Sequence, residues 1–401
     1  MKKIIDWVLY ITIFLMFWCS GSNLLLFMKY PTYGPTEAII PPCYFFLFIL
    51  FLIKGLKLSL NDSFVRNGSL FILFIGFITS LTGRNAFWGN YLSTVGAPLI
   101  FYVLLYKKGI QISQSAIQWI ILSFYVLNSI VAIIERLNTF VFLPNVGFMN
   151  LFQTDNEGFR SCALTGYPLM GATFTSLVMF FLLISAIKDL YKYTLWGIGA
   201  FALLCFNSRT AIICAGVSIF FYSIKVLREK PSFSKNIILI IAIVIGYNLL
   251  EIAFREGYAD RLSNFGVDGS SQVRMTNLNY LYKADFLNLL FGYSKNEMKA
   301  LAINTGNVGL IIENPWLIYI FRYGLIFFTI LLIYYIFLFK KMLTDYSIID
   351  TCIILIPWLI DISSNTGFGY TVNVLISQMC VCIFAFSKNT SNSIPKIRNI
   401  T

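Results

Sequence analysis

Apolar residues run along this chain in long stretches, not in alternation with polar ones. Lys2 and Lys3 precede the first stretch, Ile4 to Met28, which contains a single acid, Asp6. Further stretches fall at about 38–53, 68–82, 90–106, 115–137, 165–187, 193–207, 210–226, 236–253, 314–339, 347–361 and 367–386. Recurrent apolar runs of spanning length mark membrane helices. Backbone in lipid must satisfy its own hydrogen bonds, and the period-2 pattern of a barrel is absent, so the runs predict helices. The expected fold is an all-α polytopic membrane protein with about 12 transmembrane helices in one integral domain, 1–401. The first run is too long for a signal peptide and lacks a small-x-small cleavage site, so it reads as a retained span.

Composition agrees. Hydrophobic residues make up 58% of the chain and charged residues 12%, whereas a soluble domain carries roughly a quarter charged residues. The net charge of +12 changes meaning once topology is assigned. With the N-terminus inside, Lys54, Lys57, Lys107, Lys108, Lys188, Lys192, Lys225, Lys340 and Lys341 all fall on the cytoplasmic side, as the positive-inside rule requires. The excess charge is then topology and gives no support for nucleic-acid binding. Both termini are expected in the cytoplasm of a bacterium, the chain lying in its inner membrane and ending in a polar tail, 387–401.

Arginine is distributed differently from lysine. Only Arg66, Arg228 and Arg398 lie on the inner side, while Arg84, Arg136, Arg160, Arg209, Arg255, Arg261, Arg274 and Arg322 lie outside or within the membrane. Lysine suffices to hold a loop at a lipid surface. Arginine grips phosphate or carboxylate with a planar fork. The pattern points to an anionic ligand on the outer face. Two long outer loops are expected there, 138–164 and 254–313, and loops of that size are usually functional. In the second, Met275, Leu278, Leu281, Tyr282, Phe286, Leu289 and Leu290 recur at helical spacing and predict an amphipathic helix at the outer leaflet.

The eight cysteines form no CxxC pair, and the chain has no histidine. Imidazole catalysis and His-ligated metal are excluded, and neither metal nor cofactor is expected.

Arg209 is the only permanent charge between Tyr193 and Ile224. That stretch would be about 48 Å long as one helix, against about 30 Å of hydrocarbon. Two short spans joined at Asn207–Ser208 fit better, with Arg209 projecting inward from the outer side. Intramembrane cations are functional by default, although a snorkelling charge is the plainer reading. Arg160 ends the first long loop, and Gly166 and Pro168 open the next helix. Arg274 heads the amphipathic segment. Glu313 and Asn314 precede Pro315 at the mouth of a later span. A loop-end charge, a solvated helix face and simple helix capping are the plainer readings of these.

The order of these blocks resembles the bacterial O-antigen polymerase and ligase superfamily, membrane glycosyltransferases of GT-C type. The likeness runs from Arg160 to Phe328. It rests on Arg160 with Gly166 and Pro168, on Ser208–Arg209 between two short spans, on Ser271 and Arg274 leading to Gly292, and on Glu313–Asn314 with Tyr323–Gly324. The ligases place a histidine where this chain has Glu313, which favours polymerase. The resemblance implies a metal-independent glycosyl transfer between undecaprenyl-diphosphate-linked oligosaccharides on the periplasmic face. Other members of the same pathway, a chain-length regulator and a flippase, are the expected partners beyond membrane lipid.

Physical chemistry suits that reaction. Cleavage of a sugar–diphosphate bond builds negative charge that fixed cations stabilise. Arg209, Arg160 and Arg274 are the expected diphosphate ligands, and Tyr167, Asn314 and Arg261 the expected substrate contacts. Glu313, Asp155 and Glu157 are the expected acid–base residues, with Asp268 a further candidate. Tyr258 and Trp316 are aromatics suited to stack on sugars. A flippase is the main rival. It should carry polar groups along a path through the bilayer, whereas here they cluster on one side. A ligase is the other alternative.

Overall fold

The structure, a computed structural model, describes residues 2–19, 41–55, 62–81, 91–106, 112–142, 159–228, 279–305, 314–364 and 374–387, with Glu251 and Arg255. The described residues are helices joined by short turns, with no strand among them. In chain order the helices are α1 (Lys2–Trp18), α2 (Pro42–Leu50), α3 (Ser63–Leu81), α4 (Ala97–Tyr106), α5 (Gln114–Asn138), α6 (Pro168–Ile184) and α7 (Asp189–Phe206). They continue as α8 (Arg209–Arg228), α9 (Phe286–Phe291), α10 (Lys295–Asn304), α11 (Pro315–Met342), α12 (Ile348–Ser363) and α13 (Leu375–Ala385). Short π-helical turns extend α2 and precede α4.

Helix α6 is the hub. It packs against α5, α7, α8, α12 and α13, and every residue from Gly171 to Ile184 is buried. A helix apolar on all sides belongs in the interior of a bundle. The helices of the bundle face outward with large apolar side chains, among them Trp7, Phe14, Phe45, Phe74, Trp119, Phe220 and Ile336. Exposed apolar area on that scale is foreign to a water-soluble monomer. Helices α5, α8 and α11 are each long and apolar enough to cross a membrane. The chain is thus a helical protein with the surface of a membrane protein.

Helices α8 and α12 run antiparallel. Lys225, near the end of α8, pairs with Asp350, near the start of α12, at 2.7 Å. Arg209 and Ser363 therefore share the other end of the bundle. Trp316 at the start of α11 donates to Ser363 Oγ at 2.8 Å, which brings the mouth of α11 to that same end.

The predicted first span reaches Met28; α1 covers Lys2–Trp18 of it, and residues 20–28 lie outside the described residues. One feature departs from the periodicity. The predicted amphipathic helix is broken within its described part. Asp285 is extended (φ −67, ψ 135), and its side chain accepts the N–H of Asn288, starting α9 afresh. Tyr280 is consequently buried, while Tyr282 and Phe286 point outward. A local cap overrode a pattern that assumed one continuous helix.

Candidate functional site

The segment 159–167 connects to the hub and carries Arg160. Its polar groups are tied to two helices, α5 and α7. Glu135, in the last turn of α5, accepts the N–H groups of Cys162 (2.7 Å), Ala163 (2.8 Å) and Phe142 (2.7 Å). One carboxylate therefore holds the described residues on both sides of the stretch 143–158. Arg136, its neighbour, donates to the Phe159 carbonyl. Ser161 donates through its hydroxyl to the Ala132 carbonyl at 2.7 Å and through its N–H to the Cys205 carbonyl at 3.1 Å. Asn128 accepts the Leu164 N–H at 3.1 Å. Gly166 then takes a left-handed conformation (φ 65), and Pro168 starts α6 with its fixed φ and no N–H to satisfy.

Arg160 is 5% exposed, and its Nε donates to the Phe206 carbonyl at 3.3 Å. Phe206 is the last residue of α7. Asn207 follows in the left-handed region (φ 52) and reverses the chain, a conformation asparagine tolerates better than most residues. Arg209 then opens α8 and is half-buried. The expected short hairpin is thus present, and Arg160 is fastened to the turn that presents Arg209.

Tyr167 occupies the position before α6. Its carbonyl accepts the Gly171 N–H at 3.0 Å and the Thr165 hydroxyl at 3.1 Å. Asn314 caps α11, its Oδ1 accepting the N–H groups of Trp316 (3.0 Å) and Leu317 (3.2 Å). That is the plainer of its two expected roles, and it occupies the oxygen that would otherwise face a ligand. Trp316 is partly buried, its ring edge-on to Phe328 at 6.0 Å and its N–H spent on Ser363. Glu313, Asp155, Glu157, Arg274, Arg261, Asp268 and Tyr258 lie outside the described residues.

Burial shapes the local chemistry of the segment. It pushes the Cys162 thiol up to about 12, reinforced by the Glu135 charge and opposed by Arg160. That thiol is inert at neutral pH, since the thiolate is the reactive form.

Two acids escaped the sequence reading. Glu135 sits in "AIIERLN" and organises the Arg160 segment. Asp361 sits in "WLIDIS" in the last turn of α12 and is 2% exposed. Its Oδ2 lies 2.6 Å from Ser176 Oγ, and its Oδ1 lies 3.4 Å from Thr173 Oγ1, both on α6. The signal for both was present: each is an acid inside an apolar run, where charge is expensive and functional by default. No group of three or more Cys, Asp or Glu among the described residues could hold a metal ion.

No protein-family model matches the sequence, and no curated protein is significantly similar to it.

Proposed function

We propose that this chain is an O-antigen polymerase. It joins oligosaccharide repeat units carried on undecaprenyl diphosphate, moving the growing chain onto the free end of a new carrier-linked unit. The observation that carries this reading is the Arg160–Phe206 bond of 3.3 Å, which ties the buried Arg160 to the turn that starts α8 with a second, half-buried arginine, Arg209. Two permanent cations at one end of an apolar bundle form a site for a dianionic leaving group. The glycosidic bond forms between the acceptor hydroxyl oxygen and the anomeric carbon. The bond from that carbon to the diphosphate breaks, its electron pair leaving with the diphosphate. The hydroxyl proton passes to a base, for which Glu313, Asp155 and Glu157 remain the candidates.

In this reading the bundle has about 12 spans in a GT-C-like arrangement, with Arg160 and Arg209 on the periplasmic face of a bacterial inner membrane. Both termini are cytoplasmic. Arg274 and Arg261 in the loop 254–313 and Tyr167 near Arg160 complete the substrate contacts. A chain-length regulator and a flippase act beside it.

The test is deletion of the gene followed by electrophoresis of lipopolysaccharide. A polymerase defect leaves one repeat unit on the core and removes the ladder. Loss of every attached unit would point instead to a ligase or a flippase.

A further inference from the structure

Asp361 and Glu135 are both buried acids, yet they are furnished in opposite ways. Glu135 receives three backbone N–H groups within 2.8 Å, a donor set that suits an ionised carboxylate. Among the described residues, Asp361 receives no backbone N–H and has no Lys or Arg within ion-pairing distance.

Its nearest partner, Ser176, has a single hydroxyl proton. That hydroxyl lies 2.6 Å from Asp361 Oδ2 and 2.9 Å from the Thr173 carbonyl. If Asp361 were ionised, both neighbours would be acceptors competing for that proton. Among the described residues, only the Thr173 hydroxyl, at 3.4 Å, would remain as a second donor. A neutral carboxylic acid removes the conflict.

We propose that Asp361, Ser176 and the Thr173 carbonyl form a proton-binding site. Asp361 is a neutral acid whose O–H donates to Ser176 Oγ, and Ser176 donates in turn to the Thr173 carbonyl. The groups around it are consistent. From α6 it meets Thr173 and Ser176, and from α8 the Cys214 thiol. The other charges of α8 stand at its ends, Arg209 at one and Lys225 and Arg228 at the other, Lys225 being paired with Asp350. Helix α11 contributes Trp316 against Ser363, and its charges are Arg322, Lys340 and Lys341.

Release of the proton turns the Ser176 hydroxyl away from Thr173 and leaves an anion at the level of Cys214. That is five residues, about 7.5 Å along the helix, below Arg209. Proton occupancy therefore sets how much positive field the Arg209 end presents. This consequence rests on the proposed anion site; the proton site itself does not.

The test is infrared spectroscopy of the full-length protein in lipid nanodiscs at neutral pH. The wild type should show the carbonyl stretch of a protonated, buried carboxylic acid. The band should vanish in Asp361→Asn and move in Ser176→Ala, which loses its hydrogen-bond acceptor. Labelling the wild type with carboxyl-13C aspartate should shift the same band, a reading that requires no variant to fold. Absence of any aspartate-derived carboxylic-acid band, or one unmoved by Ser176→Ala, would overturn the proposal.

Discussion

Gly292 and Gly324 meet backbone to backbone. Both have positive φ, +89 and +84, and a Cβ built on Gly292 would lie 2.7 Å from the Arg322 carbonyl oxygen. One built on Gly324 would lie 2.6 Å from the Phe291 carbonyl carbon. Gly292 ends α9 and Gly324 breaks α11 partway along, with ψ 157. The Tyr293 N–H donates to the Phe321 carbonyl at 2.7 Å across this contact. The junction fastens the segment 279–305 to the helix whose N-terminus opens at the arginine end of the bundle.

Either glycine changed to alanine therefore meets backbone, which cannot step aside. The left-handed strain alone is worth about 1–3 kcal/mol, and the clash adds to it. Gly324→Ala and Gly292→Ala should each lower the thermal unfolding midpoint in detergent by several degrees or abolish folded yield. Gly197 has open space where its Cβ would be, so Gly197→Ala is the control that should leave the midpoint unchanged.

Glu135 predicts a local effect. Its removal strands buried N–H groups of Cys162 and Ala163, each costing about 1–3 kcal/mol. Glu135→Ala should release the Arg160 segment, seen as faster amide hydrogen exchange at 159–165 while α6 stays protected. Unchanged exchange there would show that the carboxylate does not hold the segment.

The Cys162 thiol offers a pH measurement. Its ionisation is pushed up to about 12, first by burial and then by Glu135. Only the thiolate reacts, so alkylation by a maleimide should stay slow at pH 8 and rise toward strongly alkaline pH. Glu135→Gln removes one of the opposing charges and should speed the reaction at fixed pH.

At the other end of the bundle, Lys225 and Asp350 form a nearly dry ion pair, their side chains 12% and 4% exposed. Truncating one partner of a buried pair leaves an unpaired charge and costs about 3–5 kcal/mol. Lys225→Met should destabilise strongly, and Lys225→Met combined with Asp350→Leu should recover most of the loss. A thermal double-mutant cycle reads the difference.

Apolar runs and punctuation carried much of the fold in the sequence. The turn at Asn207–Ser208 was legible because one helix across Tyr193–Ile224 would overshoot the bilayer, and an asparagine marked the reversal. The break at Asp285 was not, because helical periodicity continues through it and only the cap reveals a new start. Arg209 stood out as a cation in apolar company, and Arg160 as the charge that ends a long loop before Gly166 and Pro168. Their link through Phe206 did not, since it depends on a side chain reaching a backbone carbonyl on another helix. Asp361 and Glu135 were hidden by the opposite habit: an acid near the end of an apolar run passes for a span boundary, and only its partners show what it does.

If Arg160 and Arg209 hold a diphosphate, as proposed, both contribute to the affinity for undecaprenyl diphosphate. A charged hydrogen bond is worth about 1.5–3 kcal/mol, and 1.4 kcal/mol is tenfold in Kd. Measured on purified protein in nanodiscs, Arg160→Ala and Arg209→Ala should each weaken binding by at least about tenfold, with the unfolding midpoint of Arg209→Ala near that of the wild type. Wild-type affinity in both variants would contradict that proposal.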